Sequence, residues 1–454
     1  MPFPFSASVF PSFRRKTFAR GVHPDENKGT AGIPIRRMPF APRMTLPLAQ
    51  HVGKPAVPIV SVGQEVLRGQ PIARADGFLS VPVHAPADGV IEAIELRPSA
   101  RGVWTEAIVL RVYEASTQAM RWGEPRDLDG MTPAEILQAI QDAGMVGLGG
   151  AAYPSHAKLT VPKDRNIHTL IVNGCECEPY LTCDHRMMLE LTDDLVVGVR
   201  LAMRALGAGR AVIGVEDNKL DALAALRARL PADAGIEARA VPTKYPQGAE
   251  KMLIKSLLGV EVLARGLPSQ VGVVVNNVGT LAMLGRLLPQ GHGLTERVVT
   301  VTGPGIERPG DYWVPIGTPL RHVLDMVGAD ADAREVILGG PMMGQSIASL
   351  DVPVTKGVSG ILVYVGVRIE DEEAEKKVSA CIRCGECLSA CPMGLNPAML
   401  GALAANKEYD RMGDAYHLGD CFECGCCTYV CPANIPLVQQ FRAAKSILRD
   451  RALA

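Results

Sequence analysis

The chain has 454 residues, 47% of them apolar and 5% aromatic, with a formal net charge of −1. That length is too great for one domain and, at about 150 residues each, suggests three or so. The neutral balance carries no nucleic-acid signature, no apolar run reaches the roughly 18 residues that span a bilayer, and twelve cysteines without a secretory signal fit a reducing compartment.

Residues 1–43 read as an irregular basic arm. Prolines at 2, 4, 11, 24, 34, 39 and 42 forbid long helices, and eight Lys/Arg stand against Asp25 and Glu26. The expectation is a solvated tail wrapping its own protein; the alternative is contact with an anionic membrane face or an acidic partner. Ser12-Phe13-Arg14-Arg15-Lys16 hints at a twin-arginine signal, but the apolar stretch that must follow is missing, so export is not expected.

Residues 44–125 read as all-β. Two similar halves, Val57 to Ile72 and Val83 to Ile94, carry short apolar strands punctuated by glycine turns, as in a biotinyl/lipoyl-type sandwich. Such domains bear a lysine on the hairpin between the halves, whereas here Ala75 to Ser80 has none. The module is therefore read as structural, with His51 and His84 as structural histidines.

Residues 126–290 alternate helix and strand, the signature of a parallel sheet with packed helices. Thr132-Pro133-Ala134-Glu135 is a helix start with cap, Pro at the first position and Glu at the third. Strands are expected at Leu170–Asn173, Ala211–Val215 and Gly272–Asn277, with a helix over Leu195–Leu206. Residues 291–368 are read as a small β-grasp module. It has a strand at Arg297–Thr302, a helix at Leu320–Val327 and a strand at Val336–Gly340. Glu370–Lys377 is read as an exposed charged helical lead into residues 369–454.

That last unit carries the strongest motif. Cys381, Cys384, Cys387 and Cys391-Pro392 follow C-x-x-C-x-x-C-x-x-x-C-P, and Cys421, Cys424, Cys427 and Cys431-Pro432 repeat it 40 residues later. Each is the bacterial ferredoxin run for a [4Fe–4S] cluster, in which the fourth cysteine serves the other cluster. By that rule Cys381, Cys384, Cys387 and Cys431 hold one cluster, and Cys421, Cys424, Cys427 and Cys391 the second. Structural zinc uses two C-x-x-C pairs instead. Cys426 is an extra thiol, either a bystander or a competitor of Cys427. Helices are expected at Asn396–Lys407 and Leu437–Arg449.

Gly147-Leu148-Gly149-Gly150-Ala151-Ala152 formally matches the dinucleotide fingerprint, but a helix precedes it where that fingerprint needs a strand. Its close-set glycines can still bring backbone N–H groups against a phosphate or a flat ring, with Lys158 adding charge. Beside two electron-transfer clusters, a flavin or nucleotide site is the expectation. Asn173 to Tyr180 follows a strand, where ligand crevices of open sheets lie. Cys175, Cys177 and Cys183 match no metal template and are not expected to bind one.

These motifs carry a resemblance. Gly147 to Leu159, with Pro154 and Lys158, is similar to the flavin loop of the FMN-bearing, NADH-oxidising subunit of respiratory complex I; Ala152 and Tyr153 depart from it. Asn173-x-x-Glu176-x-Glu178-Pro179, Tyr245-x-x-Gly248-Ala249-Glu250 and Asn276-Asn277-Val278-Gly279-Thr280 resemble later segments of that family, in order. The N-terminal sandwich, the doubled cluster motif and the opening Gly21 to Lys28 resemble the C component of the Rnf electron-transport complex.

The resemblance implies a multidomain α/β protein: a lipoyl-like β sandwich, an α/β flavin/NADH core, a β-grasp module and a helical, ferredoxin-like two-cluster domain. It implies non-covalent FMN on Gly147, Gly149, Gly150, Lys158, Asn173, Glu176, Tyr245, Gly248, Asn276, Asn277 and Thr280. Tyr153, Glu178 and Glu250 would contact NADH, and Cys175 stands where the complex I family has an acid. The implied activity is hydride transfer from NADH to FMN, then single electrons through the clusters to membrane subunits of an ion-translocating complex. Its partners are integral and peripheral subunits, and its place the cytoplasmic face of the bacterial inner membrane. The rivals are a soluble NADH-dependent flavin/iron–sulfur oxidoreductase and a flavin-free two-cluster adaptor.

Overall fold

The computed structural model describes residues 17–453 except 101, 163, 233, 332 and 366–376. Most of the expected lead at Glu370–Lys377, and the arginine pair of the twin-arginine hint, lie outside them. Residues 17–43, expected as a solvated tail wrapping its own protein, do wrap it, but packed into the fold as a strap. Val22 bridges to Tyr245, Gly21 N–H donates to the Ala390 carbonyl, and β1 (Arg36–Arg37) pairs in parallel with a strand some 275 residues later. Lys28 explains why a basic segment is buried. Its ammonium donates to the carbonyls of Glu176, Glu178 and Leu181 at 2.7, 2.7 and 2.5 Å, so three backbone acceptors replace its water shell.

Strands β2 (Arg43–Pro47), β3 (Val57–Pro58), β4 (Glu65–Val66), β5 (Pro71–Arg74), β6 (Val83–His84), β7 (Gly89–Pro98) and β8 (Trp104–Val112) form two antiparallel sheets, ordered β2-β8-β7-β4 and β3-β5-β6. Met44, Leu46, Ile72, Ile91, Ile108 and Leu110 fill the space between them. His51 is structural, its Nε2 accepting from the Val81 N–H.

In the α/β core, α1 (Pro133–Asp142) starts on the complete capping box read from Thr132 and Glu135. Next come α2 (Ser155–Leu159), β9 (Thr169–Gly174), α3 (Cys183–Glu190), α4 (Thr192–Leu206), β10 (Arg210–Glu216), α5 (Leu220–Arg229), β11 (Ile236–Val241), α6 (Glu250–Leu258), β12 (Val273–Asn277) and α7 (Val278–Leu287). The sheet runs β11-β10-β9-β12, parallel throughout. β11 was not anticipated; it is the edge strand, and its half-exposed Glu237 and Arg239 break the apolar run.

Strands β13 (Glu296–Thr302), β14 (Gly310–Pro315), β15 (Ala333–Leu338), β16 (Gln345–Ser346) and β17 (Gly360–Val365), with helix α8 (Leu320–Val327), make the third unit. Its sheet order is β1-β14-β13-β17-β15-β16, so the N-terminal strap supplies one edge. The cluster unit contains α9 (Glu386–Ala390), α10 (Pro397–Ala405), α11 (Tyr409–Asp414), α12 (Cys426–Tyr429) and α13 (Leu437–Leu453). Its internal repeat is visible in the backbone. Arg383 and Glu423, Gly385 and Gly425, Gly394 and Asn434 all have positive φ, each pair 40 residues apart.

Helices α4 and α7 cross closely enough that their backbones touch. A Cβ on Gly198 would lie 1.8 Å from the Leu281 carbonyl oxygen, and one on Gly285 1.8 Å from that of Asp194. Gly285→Ala must push the helices apart and should cost about 2–4 kcal/mol. Gly413→Ala on α11, with Leu448 3.8 Å away as the nearest neighbour, should be neutral or stabilise by up to about 1 kcal/mol. Thermal unfolding of both variants checks this.

Candidate functional site

The glycine loop is held against the start of α7. Gly147 N–H donates to the Tyr153 carbonyl (2.8 Å) and Ala152 N–H returns to Gly147 (3.2 Å), closing the loop on itself. Leu148 N–H donates to the buried Thr280 hydroxyl (2.9 Å), and a Cβ on Gly149 would lie 3.3 Å from Asn277 Nδ2. Gly150 is exposed, has a φ of +106° and has open space beside it, so its backbone can approach a ligand.

The carboxyl ends of the two neighbouring strands β9 and β12 bring the asparagines together, Asn173 and Asn277 being in register. Asn277 caps α7, accepting from Thr280 N–H (3.0 Å) and donating to Asp184 (2.6 Å). Burial, then the neighbouring Glu176, pushes Asp184 up to about 7. Asn173 donates to the Gly248 carbonyl (2.7 Å) and accepts from Cys175 N–H (3.0 Å). Asn276 is buried, and its amide nitrogen has no partner among the described residues. These contacts bring the glycine loop, Asn277 and Thr280 together at the end of β12, and Asn173 and Gly248 at the neighbouring end of β9.

Other expected contacts are committed elsewhere. The Glu176 carboxylate accepts from the N–H groups of Asp184 (2.9 Å) and His185 (3.1 Å) and from the Cys183 thiol, binding the start of α3 as an anion suits a helix N-terminus. Glu178 accepts from Met342 N–H (3.1 Å) and Met343 N–H (2.7 Å), and burial pushes it up to about 7. Lys158 pairs with Glu250. Tyr245 is buried and its hydroxyl donates to the Cys424 carbonyl (2.7 Å), away from the glycine loop and toward the cluster unit. Tyr153 closes the loop through its backbone and is half-buried.

Two residues at this site escaped sequence reading. Arg297, fully buried on β13, donates to the carbonyls of Leu148 (3.1 Å) and Lys356 (2.6 Å), tying the glycine loop to the third unit. An arginine within an apolar strand was the available signal. Gly357 packs on the other side, where a Cβ would lie 3.2 Å from that of Ala152.

The cysteines fall into two sets. Cys391, Cys421, Cys424, Cys427 and the extra Cys426 line one cavity with Leu395, Leu400, Val438 and Phe441. Burial pushes Cys427 up to about 12, helped by Cys421, Cys424 and Cys391 beside it, and burial pushes Cys421 up to about 11. Cys387 is raised by burial and by its neighbours Cys384, Cys381 and Cys431. The fourth cysteine of each motif is thus an electrostatic neighbour of the other motif's triple. Cys381 and Cys384 are exposed, whereas Cys391 and Cys427 are buried. Cys426 is fully buried beside Cys424, whose thiol it holds below the usual range by a hydrogen bond. Among the described residues no three His, Cys, Asp or Glu converge on a point that suits a single ion. Cys175, Cys177 and Cys183 go three separate ways: toward Gly214 carbonyl, toward Gly248 N–H and toward Glu176.

Known proteins match this layout unit by unit. Residues 16–114 match the RnfC barrel sandwich hybrid domain, 140–286 the Nuo51 FMN-binding domain, 298–346 the SLBB domain and 377–435 a 4Fe-4S dicluster domain. Over 433 residues the chain is 40% identical to the C component of the proton-translocating ferredoxin:NAD(+) oxidoreductase complex of Clostridium ljungdahlii, covering 95% of this chain and 94% of that one. The chain belongs to this RnfC family. The Na(+)-translocating counterpart of Acetobacterium woodii is 39% identical over 397 residues, 87% of this chain and 89% of that one. The C component of the ion-translocating oxidoreductase complex of Edwardsiella ictaluri is 42% identical over 438 residues; the chain spans 54% of that longer relative. A chain of an NAD+-reducing [NiFe]-hydrogenase shares the fold, with a TM-score of 0.50 and 22% identity over 69% of this chain and 63% of that one. Among the described residues no helix is long and apolar enough to cross a membrane.

Lys356 gives the region a pH dependence. It is completely buried, its ammonium donating to the carbonyls of Pro82 and Gly144, both at 2.7 Å, and burial pushes it from 10.5 down to about 7. Between these values the unfolded chain binds more protons at this lysine than the native one, so native stability rises with pH across that window. Lys356→Met should flatten that rise. Melting temperatures of both proteins across the window test it, and parallel profiles would refute it.

Proposed function

We propose that this RnfC-family chain takes electrons as hydride from NADH and delivers them singly, through two [4Fe–4S] clusters, to the membrane subunits of an ion-translocating complex, reversibly. The observation that carries the reading is the doubled cysteine array, joined through Tyr245 to the α/β crevice that holds an unpartnered buried amide, Asn276. The residues fit the groups. The crevice offers the Asn276 donor and an open glycine loop to a polar flavin, and Cys391, Cys421, Cys424 and Cys427 line one small cavity.

FMN, when bound, supplies the exchange between two-electron and one-electron transfer. The chain's part is to hold, orient and insulate it. Gly147, Gly149 and Gly150 present backbone, Asn173, Asn276, Asn277 and Thr280 line the strand ends, and Lys158 adds positive charge. Glu176 and Asp184 fix the start of α3 beneath them. Tyr153 is assigned to stacking on the nicotinamide nucleotide and Glu250 to its ribose. Glu178, engaged by Met342 and Met343, is assigned the anchoring of the third unit instead. That third unit we read as the β-grasp module.

We assign Cys391, Cys421, Cys424 and Cys427 to the inner cluster, beside the crevice. Cys381, Cys384, Cys387 and Cys431 hold the outer one, whose exposed face meets the next carrier. The protein then sits as a peripheral subunit on the cytoplasmic face of the bacterial inner membrane. We read the domain limits as near 44, 126, 291 and 369.

Anaerobic purification should yield about eight irons and one FMN per chain, and NADH should bleach both chromophores. Cys431→Ser should lose the outer cluster and leave the inner one reducible by NADH. Cys391→Ser should lose the inner one and leave the outer cut off from NADH. Electron paramagnetic resonance of the reduced variants reads this. Iron without flavin and without a response to NADH would favour the adaptor, and loss of the same cluster in both variants would refute the cross-ligation.

A further inference from the structure

We propose that a cleft at the C-terminal end of α7, the opposite end from the glycine loop, binds a small oxyanion, a molecule bearing a phosphate or carboxylate group. The cleft encloses about 340 Å³ where the sandwich, the α/β core and the third unit meet. It is lined by Arg37 from the strap, Arg68 from the sandwich, Arg286 from α7 and Glu296 from β13. Met283 and Leu287, on the C-terminal half of α7, supply an apolar wall, whereas Asn277 and Thr280 at the other end of that helix face the glycine loop.

Arg68 is the most buried of the three arginines, its side chain 2% exposed. One terminal nitrogen donates to Glu296 (2.6 Å) and the other reaches the Gln118 carbonyl. A guanidinium held this far from water is weakly screened, so its charge acts strongly on an oxyanion in the cleft it lines.

The surroundings favour a negative ligand. Arg37 and Arg286 both stand over the Trp313 ring, at 5.7 and 5.2 Å from its centre, which fixes their planar forks while leaving both partly exposed. Arg37 shares Glu296 with Arg68, and Arg286 pairs among the described residues with Asp194 at 3.4 Å, so three guanidinium groups face two carboxylates. The end of α7 would itself repel an anion, but the last carbonyl of the helix and the two beyond it are occupied. Leu287 accepts from His292 N–H, Leu288 from Gly291 N–H and Pro289 from Arg126 N–H. Arginine forks of this kind recognise oxyanions in bidentate fashion.

The test uses the full cluster-loaded chain, saturated with FMN and NAD+ so that those sites are filled, titrated calorimetrically with pyrophosphate and with citrate. One saturable site is expected. Arg37→Gln and Arg286→Gln should each weaken it by roughly tenfold, and Arg286→Lys, which keeps the charge and the fold, by less. Glu296→Gln should tighten it, because that carboxylate competes for Arg37 and Arg68. Arg229→Gln, which breaks a surface pair with Asp193, should leave it unchanged. If neither anion binds saturably, or if binding ignores the cleft variants, the cleft is a structural clamp only and the proposal fails.

Discussion

Electron transfer weakens steeply with distance, so everything in this chain depends on holding the cluster unit hard against the α/β core. Tyr245 does this at one point. Its backbone pairs with Val22 of the strap, and its hydroxyl donates to the Cys424 carbonyl, inside the inner cysteine loop. Around it, Gly425 lies against the Met342 carbonyl, and Arg442 of α13 reaches the Met343 carbonyl. Strap, core, third unit and cluster unit therefore share one contact region. Moving any of them by a residue's width would change the gap that electrons must cross.

The crevice on the other side of that region rests on a different constraint. Gly198 and Gly285 let α4 and α7 approach backbone to backbone, which no larger residue permits. α7 in turn carries Asn277 and Thr280, which seat the glycine loop, and Arg297 ties the same loop to the third unit. A helix crossing thus sets where the loop sits, and a buried arginine from another unit locks it.

The cluster motifs, the capping box at Thr132 and the central strands were legible because each is a local pattern with a physical cause at short range. The strap was legible only in part. That it wraps its own protein was expected, but its prolines and basic residues look solvated, and only the fold shows three carbonyls some 150 residues away that take Lys28. β14 was not anticipated, because Asp311 and Pro315 interrupt its short apolar run. Asp311 is in fact buried, accepting from the hydroxyls of Thr182 and Thr300. Glu176 and Glu178 show the same limit within the site. The sequence places them beside the crevice, but their carboxylates bond backbone N–H groups of α3 and of the loop before β16.

The two cysteine motifs are near copies, yet their surroundings differ in the features that tune a cluster's potential: hydrogen bonds to sulfur and exposure to solvent. The inner set lines a cavity with Phe441 and Leu400, with Cys391 and Cys427 buried and Cys421 and Cys424 half-buried; it has the extra thiol of Cys426 against Cys424, and Lys445 at the Cys421 carbonyl. The outer set leaves Cys381 and Cys384 in water. A repeated sequence therefore yields two unequal sites, because the 40-residue repeat packs one loop against the core and turns the other outward. The direction in which electrons fall between them is set by that packing and not by the motif.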